Sequence, residues 1–145
     1  MAKDGKRIVS ADADGTLIVW EGEKLEFQEK SRVKLGEGVV QLALAPNGKT
    51  VAVVRAFVDT TLFGTSGRIL TNLELHVFDI TDPPAKPKPI WSIRDVLGDR
   101  KAGGPFSLAF GPDGKTLLAA FADPYISEKD AKSLGVKVWE LVPNQ

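Results

Sequence analysis

The chain has no cysteine and only one histidine, His76, in its 145 residues. The first absence excludes disulfides, thiol catalysis and thiolate metal sites; the second excludes metal sites built from several histidines. An excess of one charge is missing too. The 19 basic and 19 acidic side chains give a formal net charge of zero, so neither nucleic acid nor an anionic membrane is expected as a partner. No apolar run approaches the length of a membrane span, and "MAKDGKRIVS" lacks the apolar stretch of a secretory leader. A soluble cytoplasmic protein is the expectation. The length suits one domain with a real core, and the apolar and charged fractions are ordinary for a globular chain.

The segment "SADADGTLIVWE", Ser10 to Glu21, comes close to a calcium-binding loop. Asp12, Asp14, Gly15 and Glu21 fall where that pattern wants two ligands, a sharp turn and a bidentate carboxylate. Ser10, however, stands where the first Asp belongs. Such a loop also needs a helix on each side, whereas "RIV" before it reads as a strand. The acids are better placed to shape a turn, accepting hydrogen bonds from nearby backbone N–H groups. No metal or other cofactor is expected.

What the chain does have is an internal repeat. "KDGKRIVSADADGTLIVWE", "APNGKTVAVVRAF…NLELHVFDI" and "GPDGKTLLAAFAD…GVKVWELV" answer to one another. Each starts at an Asp/Asn-Gly-Lys turn: Asp4-Gly5-Lys6, Asn47-Gly48-Lys49 and Asp113-Gly114-Lys115. Asn-Gly and Asp-Gly supply the positive φ angles of tight hairpin turns, so each is expected to join antiparallel strands. Each copy then closes an alternating apolar run with an aromatic and an acid: Trp20-Glu21, Phe78-Asp79 and Trp139-Glu140. The first two turns lie 43 residues apart, close to the roughly 40–45 residues of a four-stranded propeller blade. The last two lie 66 apart. The surplus falls in Asp59–Asn72, Thr81–Pro89 and Val96–Gly104, all rich in turn-forming and charged residues.

On these residues the chain resembles the WD-repeat β-propeller family. Ser10, Asp14-Gly15-Thr16 and Trp20-Glu21 match the family's strand–turn–strand signature, while "VVQLALAPNGKT" and "FSLAFGPDGKT" look like its innermost strand and first turn. The Gly-His pair before the innermost strand is absent, with "LGEGVV" and "AGGPF" in its place. Ser10, Asp14 and Trp20 therefore have no histidine to complete the family's buried tetrad. The resemblance implies an all-β fold, a β-propeller segment of roughly three four-stranded antiparallel blades, the first and last incomplete. Residues 1–145 form one propeller region: a partial first blade at 4–35, a second with inserted loops at 36–97, and a partial third at 98–145. Ser10, Asp14, Gly15, Trp20, Gly48, Phe78, Gly114 and Trp139 are its structural signature. The first blade lacks its inner strand and the third its outer one, leaving about ten strands. Three explanations follow: a fragment of a longer propeller, assembly with further copies, or a different self-contained β fold.

Other motifs carry less. Both "GKT" triplets lack the glycine that a phosphate-binding loop needs five residues earlier, where Ala43 and Ala109 stand. "SADADGTLIVW" misses the aspartate box of sialidase-like propellers by one glycine position. "PPAKPKP", Pro83 to Pro89, fits a connection to an outer strand better than a peptide ligand. His76 takes the place of Ile18 and Lys137 in the other copies, and no serine or carboxylate pairs with it from sequence, so no catalytic residue is assigned. "SEKDAK", Ser127 to Lys132, reads as a solvated loop.

With blade strands labelled a to d from the centre outward, Asp59–Asn72 and Asp123–Leu134 each join b to c. Val96–Gly104 joins an outer strand to the next inner one. All three insertions then decorate one face. They carry Phe63, Arg68, Arg100, Lys101, Tyr125 and Lys129, an aromatic and cationic set suited to protein interfaces. The expected function is a non-catalytic protein-interaction scaffold. Its partners are a protein, the remaining blades of a larger propeller, or further copies in a homo-oligomer. The alternatives are part of an enzyme propeller such as a lactonase-like hydrolase, where "PDGKTLLAAF" would also fit, and, behind it, a calcium-binding protein.

Overall fold

Short apolar alternations between glycine-bearing turns produce ten strands in the computed structural model, which describes residues 1–58, 70–84, 86–94, 96, 105–121 and 135–142. β1 (Arg7–Ala11), β2 (Thr16–Glu23) and β3 (Glu26–Lys34) form a first sheet. β4 (Val39–Leu44), β5 (Thr50–Val58), β6 (Leu70–Asp79) and β7 (Trp91–Ile93) form a second, and β8 (Pro105–Phe110), β9 (Thr116–Phe121) and β10 (Gly135–Glu140) a third. Every pairing is antiparallel between strands adjacent in sequence. The second sheet has all four blade strands; the first corresponds to b, c and d, the third to a, b and c. The protein is an all-β propeller segment of three blades, the first and third incomplete.

The repeated turns are alike in three places. Gly5, Gly48 and Gly114 donate their N–H to the carbonyls of Ala2, Ala45 and Gly111 at 2.9–3.0 Å. The asparagine or aspartate side chain accepts the N–H of the following lysine at 2.8–3.0 Å each time. The expected tight turn is corrected here. Only the glycines have positive φ, 67–72°, and four residues separate Ala45 from its partner Thr50. The two-residue turn with positive φ at both positions is Lys24–Leu25 (52° and 70°), joining β2 to β3 where no Asn-Gly announces it.

Packing follows from β5. Its residues alternate, Val51 and Val53 to one face of the middle sheet, Ala52, Val54 and Ala56 to the other, and all are buried. Toward the first sheet, Val51, Val53, Phe78 and Ile80 meet Leu17, Val19 and Val33. Toward the third, Ala52, Val54, Leu75 and Val77 share a cluster with Leu108, Leu117 and Ala119, with Trp139 packed against it. Burial on both faces makes "TVAVVRA" a nearly continuous apolar run. Each fully buried Val or Leu contributes about 1.5–3 kcal/mol. Val96, expected at the start of a loop, is instead a buried member of the second cluster.

The link from β3 to β4 ties the first two sheets together. Leu35 N–H donates to Gly15 O at 2.8 Å, and Gly38 N–H to Ala13 O at 3.0 Å. Gly15 has a φ of +81°, and a Cβ there would lie 2.0 Å from Gly36 O. Only glycine fits that crossing.

Candidate functional site

The "DADG" turn is flanked by strands, and its carboxylates are occupied locally. Asp12 Oδ1 accepts Thr16 N–H at 3.0 Å; Asp14 Oδ1 accepts the same N–H at 2.8 Å and the Thr16 hydroxyl at 2.5 Å. Lys34 Nζ lies 2.7 Å from Asp14 Oδ2, and Glu21 pairs with Arg7. A hydrogen bond shared with Asp12, then those from Lys34 and Thr16, hold the Asp14 carboxyl well below the usual carboxylate range. Among the described residues, no three His, Asp or Glu side chains are grouped to hold a metal ion. No helix of the described residues is long and apolar enough to cross a membrane.

Ser10 and Trp20, which the resemblance placed together, do meet, and Asp14 does not join them. Trp20 Nε1–H donates to Ser10 Oγ at 3.0 Å across β1 and β2. Gly48 and Gly114 sit in the equivalent turns. Phe78 and Trp139 hold the position of Trp20, one buried at the first seam and the other packed against the second.

A groove of about 430 Å³ lies between the turn ends of the first two sheets. Asp4, Lys6 and Arg7 come from the first Asp-Gly-Lys turn and β1, Glu21 and Glu23 from the end of β2, Asn47 and Lys49 from the second turn. Arg7 braces the floor, donating to Gly48 O at 2.8 Å while paired with Glu21. Lys6 and Glu23 meet at 2.5 Å on the rim. Their hydrogen bond raises the Lys6 pKa and lowers that of Glu23. Both charge signs thus line one shallow cleft. Sequence reading missed it, although the repeated turn that builds it was plain.

The second sheet brings together what sequence reading could not. His76 faces Ser92 across β6 and β7, with Nδ1 2.8 Å from Ser92 Oγ. Its Nε2 lies 3.0 Å from Glu74 Oε2. The expectation that His76 has no serine or carboxylate partner is therefore corrected: strand register supplies both. Arg55 and Arg94 approach Glu74 at 3.6 and 3.9 Å. A ring carrying its proton on Nε2 would donate it to Glu74 and accept the Ser92 hydroxyl at Nδ1. The arrangement can draw a proton from Ser92, as a serine nucleophile requires.

Phe63, Arg68, Arg100, Lys101, Tyr125 and Lys129, expected to bind a partner, lie outside the described residues.

No family model matches the chain, and no curated protein matches its sequence. Solved structures do. The structure of Saccharomyces cerevisiae Sqt1 is 17% identical over 83% of this chain and 28% of that one, with a TM-score of 0.48. Kuenenia stuttgartiensis hydrazine synthase is 16% identical over 95% of this chain and 36% of its own, with a TM-score of 0.55. The second likeness is one of fold. The chain spans about a third of the length of these structures.

Proposed function

We propose that this chain is a segment of a WD-like β-propeller that serves as a non-catalytic platform for binding proteins. The charged groove between the first two Asp-Gly-Lys turns supports this reading. It is open and lined by Lys6, Lys49, Asp4 and Glu23, with Arg7 and Glu21 bracing one another beneath. Such a cleft suits an extended peptide of mixed charge, and rigid strands fix its walls. Peptides selected from a display library should bind with affinities that fall at least tenfold in Lys6→Glu/Lys49→Glu, with melting unchanged. Equal binding by that variant would overturn the assignment of the groove.

One observation favours a second reading, a hydrolase: the Ser92–His76–Glu74 chain of hydrogen bonds. It ranks below the first because direct cross-strand neighbours meet in any sheet, and two arginines already engage Glu74. Hydrolysis of an activated aryl ester, abolished in Ser92→Ala and in His76→Gln, would support it. Turnover no faster than that of Ser92→Ala would discard it.

A further inference from the structure

The hairpin that joins β2 to β3 carries strain at its tip. Lys24 and Leu25 have φ of 52° and 70°, in the left-handed region where a Cβ crowds the following carbonyl oxygen. Among the described residues six others have positive φ, and all six are glycines. Glycine, asparagine or aspartate would hold the same two-residue turn with less strain. Leu25 is also 93% exposed, more than any other large apolar side chain among the described residues. It belongs to neither core cluster. Neither the turn nor the packing of the sheets therefore calls for a leucine.

The residues flanking the tip are set against each other. Glu23 and Glu26 are direct cross-strand partners, and like charges so placed repel. Lys6 answers Glu23 on the groove side at 2.5 Å, whereas Glu26 is exposed and meets no cation among the described residues. The hairpin also outruns its sheet. β1 pairs with β2 as far as Arg7 opposite Glu21, while Gly22 opposite Phe27 and Glu23 opposite Glu26 continue the β2–β3 ladder beyond it. Blades cover one another through their sheet faces, as at the two seams here. The tip lies past those faces, at the wall of the charged groove to which Glu21, Gly22 and Glu23 contribute.

We propose that this tip is the specificity element of the groove: Leu25 packs against a large apolar side chain of the bound peptide, and Glu26 pairs with a neighbouring lysine or arginine. The apolar side chain covers the most exposed leucine, and the cation beside Glu23 and Glu26 cancels their repulsion. Strain held at an exposed turn is then offset in the complex, not in the free chain. The groove meets both charge signs along the peptide, while the tip selects the sequence at one end of it. The inference rests on the platform reading, because the tip borders the same groove.

A phage-displayed library of random linear peptides tests it, with the wild-type chain as bait. Selected peptides should carry a large apolar residue beside a lysine or arginine, and synthetic copies are titrated against variants by fluorescence anisotropy. Leu25→Gly keeps the left-handed turn and should lower affinity about tenfold, while its melting temperature does not fall. Leu25→Met retains an apolar side chain and should stay within about twofold of wild type. Glu26→Gln should weaken binding several-fold, a loss that shrinks as salt screens the pair. Peptides lacking the apolar–basic pair, equal affinity in Leu25→Gly, or an equal loss in Leu25→Met would each overturn the tip as selector. If Lys6→Glu/Lys49→Glu still weakened those peptides, the groove would stand alone. Loss in Leu25→Gly with none in the lysine variant would support the tip and overturn the groove. Selection of no peptide at all would overturn both.

Discussion

The two internal seams solve the same packing problem with different side chains. Toward the first sheet, β5 presents Val51 and Val53, with Phe78 beside them on β6. Toward the third, the same strand presents Ala52, Val54 and Ala56, and more of the volume is supplied from β6 and from across the seam by Leu75, Leu117 and Trp139. One strand thus presents only branched side chains to one seam, and two alanines flanking a single valine, set against larger partners, to the other. A blade face is defined by the volume of the pair, not by the hydrophobicity of either sheet.

The strongest way to break that comparison is a cavity in the first seam. Leu17→Ala should cost about 2–5 kcal/mol in urea unfolding, because Leu17 is completely buried against the middle sheet. An effect below about 1 kcal/mol would mean that the seam can collapse around the loss. In the second seam the opposite change is the sharper test. Ala52→Leu should destabilise by about 1–3 kcal/mol through overpacking, whereas truncation at that position has little to remove. A third substitution touches neither seam. Leu25→Gly should raise stability by up to about 1–2 kcal/mol, since Leu25 holds a left-handed conformation and its side chain is 93% exposed.

The smallest effect is the response to acid. Asp14 accepts hydrogen bonds beside the first seam. Asp113, lowered by the Thr116 hydroxyl and then by the N–H groups of Lys115 and Thr116, does so in the third sheet. Both folded-state pKa values lie below their unfolded ones, so the stabilisation is complete above the ordinary aspartate range. It is lost as pH falls through the lowered values. Melting between pH 6 and pH 2 should show a decline that Asp113→Asn makes shallower. An unchanged slope would show that these turns add nothing to the acid sensitivity.

The architecture was legible because the repeat combines turn chemistry with period-two alternation: three Asx-Gly-Lys turns and three aromatic-acid strand ends locate the blades. The same pattern misled about turn type. Asn-Gly suggests two residues with positive φ, yet Asn47 contributes its side chain as an acceptor and Gly48 alone takes the left-handed conformation. The partners of His76 were hidden for another reason. Ser92 lies sixteen residues away, and only the register of β6 against β7 makes them neighbours. Glu74 was nearer in sequence, but its orientation depends on the same strand. The charged groove joins turns of two different repeats, a proximity that no single repeat displays.

The double burial of the middle sheet has a consequence for local opening. Within this chain β5 and β6 are packed on both faces, whereas each outer sheet meets the middle one on a single face. Amide hydrogen exchange should therefore be graded across the chain, slowest in β5 and β6 and faster in β1 and β10, with each outer sheet able to open while the middle one stays closed.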